Sequence, residues 1–161
     1  MRNKSAERNR KEQVKRFQFQ LEPVLNYKQQ TLDLLMTELS EAQMLAAAQE
    51  EARDRAKEKL AEYDLQFSEK REMGFTILEA MEYESGQRVL EQRLRHEQQL
   101  LEQRQRELEL KRQKVVEARQ ETHAIEKLKE IRRGEYDTAI AKEEEKAIDD
   151  LAATRRAMAA S

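Results

Sequence analysis

The sequence predicts an all-α protein, a long two-helix antiparallel coiled-coil hairpin, and three observations carry that prediction. The 161 residues include three Gly and one Pro, too little punctuation for a fold with many turns. Asp, Glu, Lys and Arg make up 40% of the chain and apolar residues 38%, a balance that suits either a disordered polyampholyte or an assembly of long helices. The apolar residues keep a helical period over long stretches, which decides for the helices.

The elements follow in order within one coiled-coil domain spanning 1–161. Residues 1–20 form a basic extension and the approach to the coil. Residues 1 to 16 carry seven Lys or Arg against two Glu. The extension ends in FQFQLEPVL, residues 17–25, whose alternation reads like a strand although nothing around it could supply a sheet. Pro23 suits the first turn of a helix, where its missing N–H costs nothing. Arm one is expected over 21–70. Steps of three and four from Leu25 visit Lys28, Leu32, Leu35, Leu39, Ala42, Ala46, Gln49, Arg53, Ala56, Leu60, Tyr63 and Phe67, and ten of these thirteen positions are apolar or small. Ala at 42, 46 and 56 would let a partner helix approach closely.

A reversal is expected at 71–76, around Met73-Gly74-Phe75-Thr76, in preference to Ser85-Gly86 downstream. Arm two, 77–158, carries a more polar seam through Leu90, Leu94, Glu97, Leu101, Arg104, Leu108, Lys111, Val115, Ala118, Thr122 and Ile125. That seam reads as slipping afterwards toward Leu128, Ile131, Tyr136 and Ile140. Long stems can pack along such a seam while their charges reach water. Glu51 with Arg55, Glu91 with Arg95, Glu102 with Arg106 and Glu107 with Lys111 have the spacing of i,i+4 ion pairs. A pivot at Met73 sets Arg16 opposite the region of Glu130 and Arg2 opposite that of Glu144. The basic start would then lie beside the acidic stretch Glu143, Glu144, Glu145, Asp149 and Asp150. Periodicity alone does not separate a hairpin from an antiparallel dimer.

Several kinds of chemistry lack their residues. There is no Cys, hence no thiol nucleophile and no disulfide framework, and a cytoplasmic address is permitted. The longest apolar run, Met44 to Ala48, is far short of the ~20 residues of a membrane-spanning helix. His96 and His123 follow Arg93 and Gln120 at the third position back, so the Glu-x-x-His pairs of di-metal bundles are missing and no metal site is expected. Gly74, Gly86 and Gly134 are isolated, and no phosphate-cradling loop exists. With no catalytic group, no cofactor and no enzyme activity are expected. Basic residues followed by heptads resemble a leucine-zipper factor, but Pro23 and FQFQ interrupt the continuous helix that such a factor needs, so no specific nucleic acid is expected.

The residues Phe17-x-Phe19-x-Leu21-Glu22-x-x-Leu25, followed by Tyr27 and Lys28, resemble the opening of the FliJ family of flagellar export proteins. The far end is similar too, in Glu126-Lys127-Leu128-Lys129-Glu130, Glu135-Tyr136 and the acidic run from Glu143 to Asp150. The basic extension before Phe17, and Asp150 where the family often has Glu, depart from the pattern. The resemblance implies a coiled-coil component of the flagellar type III secretion apparatus, peripheral at the cytoplasmic face of the inner membrane. Its partners would be the hexameric export ATPase and its regulator, the membrane export gate, and export chaperones that it helps to recycle. The end carrying both termini would meet the ATPase. Phe17, Phe19, Leu21 and Tyr136 are then expected either where arm one enters the coil, with the two Phe packed near Leu128 and Ile131, or as ATPase contacts. Leu60, Tyr63, Phe67, Val89 and His96 correspond to gate contacts, although the first three also fall on the seam. The stalk of a virulence-type secretion system, and a scaffold coiled coil without an ATPase, would share these features.

Overall fold

Two helices account for nearly all of the chain described by the computed structural model, which covers residues 16–161. Helix α1 runs Glu22–Met73 and helix α2 runs Ile77–Ala159. The helices pair antiparallel, as a hairpin, and among the described residues no strand is present. The reading that sets basic residues before Arg16 beside the acidic stretch of α2 lies outside the described residues.

Local chemistry fixes where each helix begins and ends. Pro23 sits in the first turn of α1, where the Leu21 carbonyl accepts the Leu25 N–H at 2.9 Å. Gly74 ends α1 with φ +90°, a left-handed conformation that residues with a Cβ rarely adopt. Its N–H donates to the Arg71 carbonyl at 3.3 Å. Two residues on, Thr76 and Glu79 form a reciprocal cap. The Thr76 Oγ1 accepts the Glu79 N–H at 3.2 Å, and a Glu79 carboxylate oxygen accepts the Thr76 N–H at 3.3 Å. The reversal is therefore the short segment Gly74-Phe75-Thr76.

The chain divides into two compact units, one holding the residues up to Gln30 together with Arg119–Ser161, the other Thr31–Ala118. In the second unit every predicted seam position of α1 from Leu32 to Phe67 is buried or half-buried. So is every one on α2 from Leu90 to Ala118. The α2 seam also extends back through Gln87, Tyr83 and Ala80 in the same three-and-four rhythm. Ala46, Ala56, Leu101 and Val115 form the most buried apolar positions here. Polar seam residues are satisfied across the interface. Gln49 Nε2 donates to the Glu97 carboxylate at 2.6 Å and to its backbone carbonyl at 3.0 Å, and Arg53 donates to Gln98 at 3.3 Å.

Lys111 leaves the anticipated Glu107 and instead meets Glu38 of α1 at 2.7 Å. The inward-facing position of Lys111 turns its ammonium to the partner helix rather than along its own. Of the anticipated i,i+4 pairs, Glu51 and Arg55 meet, at 3.9 Å. The hydrogen bond and charge of Lys111 hold the Glu38 carboxyl below the usual carboxylate range, against a smaller opposing effect of desolvation. A lowered folded-state pKa means that the pair stabilises above the unfolded-state value and stops doing so as pH falls through the folded one. Glu38→Gln should therefore melt below the wild type at about pH 7, with the gap closing toward about pH 3. A gap independent of pH in thermal melts would contradict that assignment.

In the first unit, Leu25 and Thr122 are buried between α1 and α2. Lys28 pairs with Glu121 at 2.6 Å, and Glu22 with Lys129 at 2.8 Å. A pivot at Met73 would have set Lys28 opposite Ala118 and Glu22 opposite Ala124. Those ion pairs are thus offset from that pivot, whereas Tyr63 with Tyr83 and Gln49 with Glu97 in the second unit keep it. After Ile125 the seam loses its strict period. Of the predicted slipped positions, Leu128, Tyr136 and Ile140 are half-buried and Ile131 is 57% exposed; of those continuing the heptad, Lys129 and Tyr136 are half-buried and Arg132 is exposed.

Candidate functional site

Two clusters gather the sequence-predicted residues, one in each unit. In the first unit the segment before α1 is extended, and its alternation has a plain cause. Phe17 and Phe19 are half-buried against α2, while Gln18 and Gln20 point to solvent. A strand-like pattern thus serves a single extended peptide lying along a helix. The Phe19 carbonyl accepts the Glu22 N–H at 3.1 Å, turning the chain into α1.

The Phe17 ring lies tilted against Tyr136, centroids 5.6 Å apart, and the Arg133 guanidinium stands 5.3 Å from the Phe17 centroid. An open groove of about 580 Å³ is lined by Phe17, Phe19, Leu21, Leu128, Arg132 and Tyr136. All four residues predicted for this end thus meet at one place. Leu21 is 38% exposed, and the Tyr136 hydroxyl is buried without a hydrogen-bond partner. Of the two neighbours expected for the Phe side chains, Leu128 lines the groove with them, whereas Ile131 faces outward and Tyr136 meets Phe17 instead.

In the second unit four aromatic rings stack behind the reversal. Phe67 and Tyr83 lie nearly parallel with centroids 3.6 Å apart, Tyr63 and Tyr83 at 5.0 Å, and Phe75 tilts against Phe67 at 5.1 Å. The Tyr63 hydroxyl donates to the Tyr83 carbonyl at 3.2 Å, and the Tyr83 hydroxyl donates to Asp64 at 2.5 Å. Gln87 donates to the same carboxylate oxygen at 3.1 Å. Burial first, and then the hydrogen bond to Asp64, push the Tyr83 phenol up to about 12, so it stays a donor throughout the neutral range. Gly86 is what lets Tyr63 cross α2 at this point, because a Cβ there would fall 2.8 Å from Tyr63 Cζ and nearer still to its hydroxyl.

The predicted gate residues therefore divide. Leu60, Tyr63 and Phe67 face inward along the seam, the latter two inside the aromatic stack. Val89 and His96 are exposed on the outer face of α2, one heptad apart. The sequence reading did not place Tyr83 at this cluster, and took Phe75 and Gly86 as candidates for the reversal. Tyr83 lies one heptad before Leu90, which was the available signal.

Neither cluster carries the convergent groups of a catalytic centre. Among the described residues, no group of His, Asp and Glu is arranged to hold a metal ion, and no helix is long and apolar enough to cross a membrane. Both clusters are built from aromatic and aliphatic side chains with polar rims, a construction suited to protein contacts.

No curated protein and no solved structure matched the chain. A protein family did, the one described as "Flagellar FliJ protein", over residues 17–160. The match begins at Phe17 and takes in both helices, the extended segment before them and the reversal between them; the chain belongs to the FliJ family of flagellar export proteins.

Proposed function

We propose that this protein is the coiled-coil connector of the flagellar type III export apparatus, linking the hexameric export ATPase and its regulator to the membrane export gate. It acts at the cytoplasmic face of the inner membrane, attached through its partners, and assists the recycling of export chaperones. The observation that carries the reading is the family match across 17–160 on a two-helix hairpin. The groove at Phe17 and the exposed face of α2 with Val89 and His96 support it, because a connector needs one contact surface for each of two partners.

The groove formed by Phe17, Phe19, Leu21 and Tyr136 is the ATPase contact in this reading. It is half-open, its rings are already held by α2, and binding there costs little ordering. The exposed face of α2 with Val89 and His96 serves the gate. Leu60, Tyr63 and Phe67, on the inward seam, hold the two helices together next to that face.

The test is the steady-state rate of the cognate export ATPase, with and without this protein, at low enzyme concentration. Stimulation by the wild type should be lost with Phe17→Ala/Phe19→Ala while helicity is retained. Absence of any effect and of any binding over a range of concentrations would remove the ATPase from the proposal.

A further inference from the structure

Helix α2 outruns its partner. Glu22, the first residue of α1, meets Lys129, and the extended segment before it reaches Tyr136 at Phe17. Among the described residues only Arg16 precedes Phe17, so the last turns of α2, from residue 137 to Ala159, present a face that α1 does not cover.

That face has a definite composition. Steps of four and three from Tyr136 visit Ile140, Glu143, Ala147, Asp150 and Thr154, which continue the inward line of α2. Glu144 stands beside Glu143, and Leu151, 64% exposed, stands beside Asp150. The two cations of this stretch, Lys142 and Lys146, fall off the line. The last ion pair along α2 joins Arg133 to Asp137 at 3.4 Å, and among the described residues no cation meets Glu143, Glu144 or Asp150.

Direction, length and charge decide what covers it. From Glu22 at Lys129 back to Phe17 at Tyr136, the chain moves toward the C-terminal end of α2, and residues 1–15 join it at Arg16. A segment of that length spans ~22 Å as a helix and up to ~50 Å extended, whereas Asp150 lies ~21 Å past Tyr136 along α2, within reach of either. Its charges oppose those of the face: Arg2, Lys4, Arg8, Arg10, Lys11 and Lys15 stand against Glu7 and Glu12, with Met1, Ala6 and Val14 as its apolar residues. The same face of a second copy would set carboxylate against carboxylate. Single exposed ion pairs are weak, but a tethered segment meets its site at high effective concentration.

We infer that residues 1–15 dock as a basic strap on the face of α2 formed by Ile140, Glu143, Glu144, Ala147, Asp150 and Leu151. The strap extends the pairing of the hairpin past the start of α1, holds Phe17 in its groove and shields these carboxylates from other cations. It does not depend on the ATPase or gate contacts proposed above.

The absence of Cys allows two nitroxide labels to be placed uniquely in the full-length protein, at Ser5→Cys and Ala147→Cys, and their separation read by pulsed electron resonance. At low salt a short, narrow distance is expected. Raising the salt to about 1 M, where the screening length is about 3 Å, should disperse it. Arg8→Glu/Arg10→Glu should disperse it at low salt, as should Glu143→Lys/Asp150→Lys, and combining the four reversals should restore it. Circular dichroism checks that helicity is retained, since all the α2 positions changed are exposed. A broad distribution at low salt, or a narrow one that neither salt nor charge reversal alters, would overturn the strap. So would a combination that stays helical without restoring the distance. The same short distance between singly labelled chains after mixing would overturn docking within one chain and place the segment on a second copy.

Discussion

Leu101→Ala is expected to destabilise the hairpin by about 2–5 kcal/mol, the range for removing a buried Leu side chain whose surroundings close only in part. Leu101 is 3% exposed at the centre of the α2 seam. With Leu25, Ala46, Ala56 and Val115 it makes up the buried apolar core of the described residues, so little other burial compensates its loss. Leu110→Ala supplies the control within the same helix, because that side chain is 59% exposed. The exposed substitution should stay within about 0.5 kcal/mol of wild type. Ala and Leu are both strong helix formers, so the contrast isolates packing from propensity. Urea unfolding with matched slopes measures both. Equal shifts in the two midpoints would mean that the seam does not hold the helices together.

Gly86→Ala should reverse its sign according to what stands at position 63. In an unobstructed helix the added methyl is worth about 1 kcal/mol of stability through propensity. Here it would press on the Tyr63 ring, which is stacked on Tyr83 and hydrogen-bonded to the Tyr83 carbonyl. The ring cannot retreat without giving up both contacts, and overpacking of this kind costs about 1–3 kcal/mol. The substitution is therefore expected to destabilise the wild type by about 1 kcal/mol. In a Tyr63→Ala background it should stabilise by about the same amount. A thermodynamic cycle over the four proteins reads the coupling directly. If Gly86→Ala stabilises both backgrounds equally, the close crossing of Tyr63 over α2 is wrong.

Much of the architecture was legible because a heptad is a long signal. Every position predicted to face inward on α1 from Leu25 to Phe67 does so, including Lys28, Gln49 and Arg53, whose polarity argued against it. On α2 the charged members Glu97 and Lys111 also face inward, and partners on α1 explain them: Gln49 for the first and Glu38 for the second. Register was less legible. Periodicity fixes which face turns inward but not how far one helix is displaced along the other. The sequence Thr76-Ile77-Leu78-Glu79 is the pattern of a reciprocal cap and was the local signal for where α2 begins. Ile131 misled for another reason. Its apolar side chain suggested an inward position, whereas the seam beyond Ile125 is irregular: Leu128, Lys129, Tyr136 and Ile140 are half-buried, and Ile131 and Arg132 are exposed. The division of Leu60, Tyr63 and Phe67 from Val89 and His96 could be expected, since a side chain that fills the seam has little surface left for a partner.

The brevity of the reversal also sets the order in which the hairpin can form. Tyr63 and the Tyr83 carbonyl that it meets are 20 residues apart in the chain, whereas Glu22 and Lys129 are 107 apart. Loop closure is least costly next to Gly74, and the aromatic stack rewards it there. Once those rings are in place, each further contact closes only a small additional loop, so pairing is expected to propagate outward from the tip, with the aromatic cluster forming early and the groove at Phe17 last.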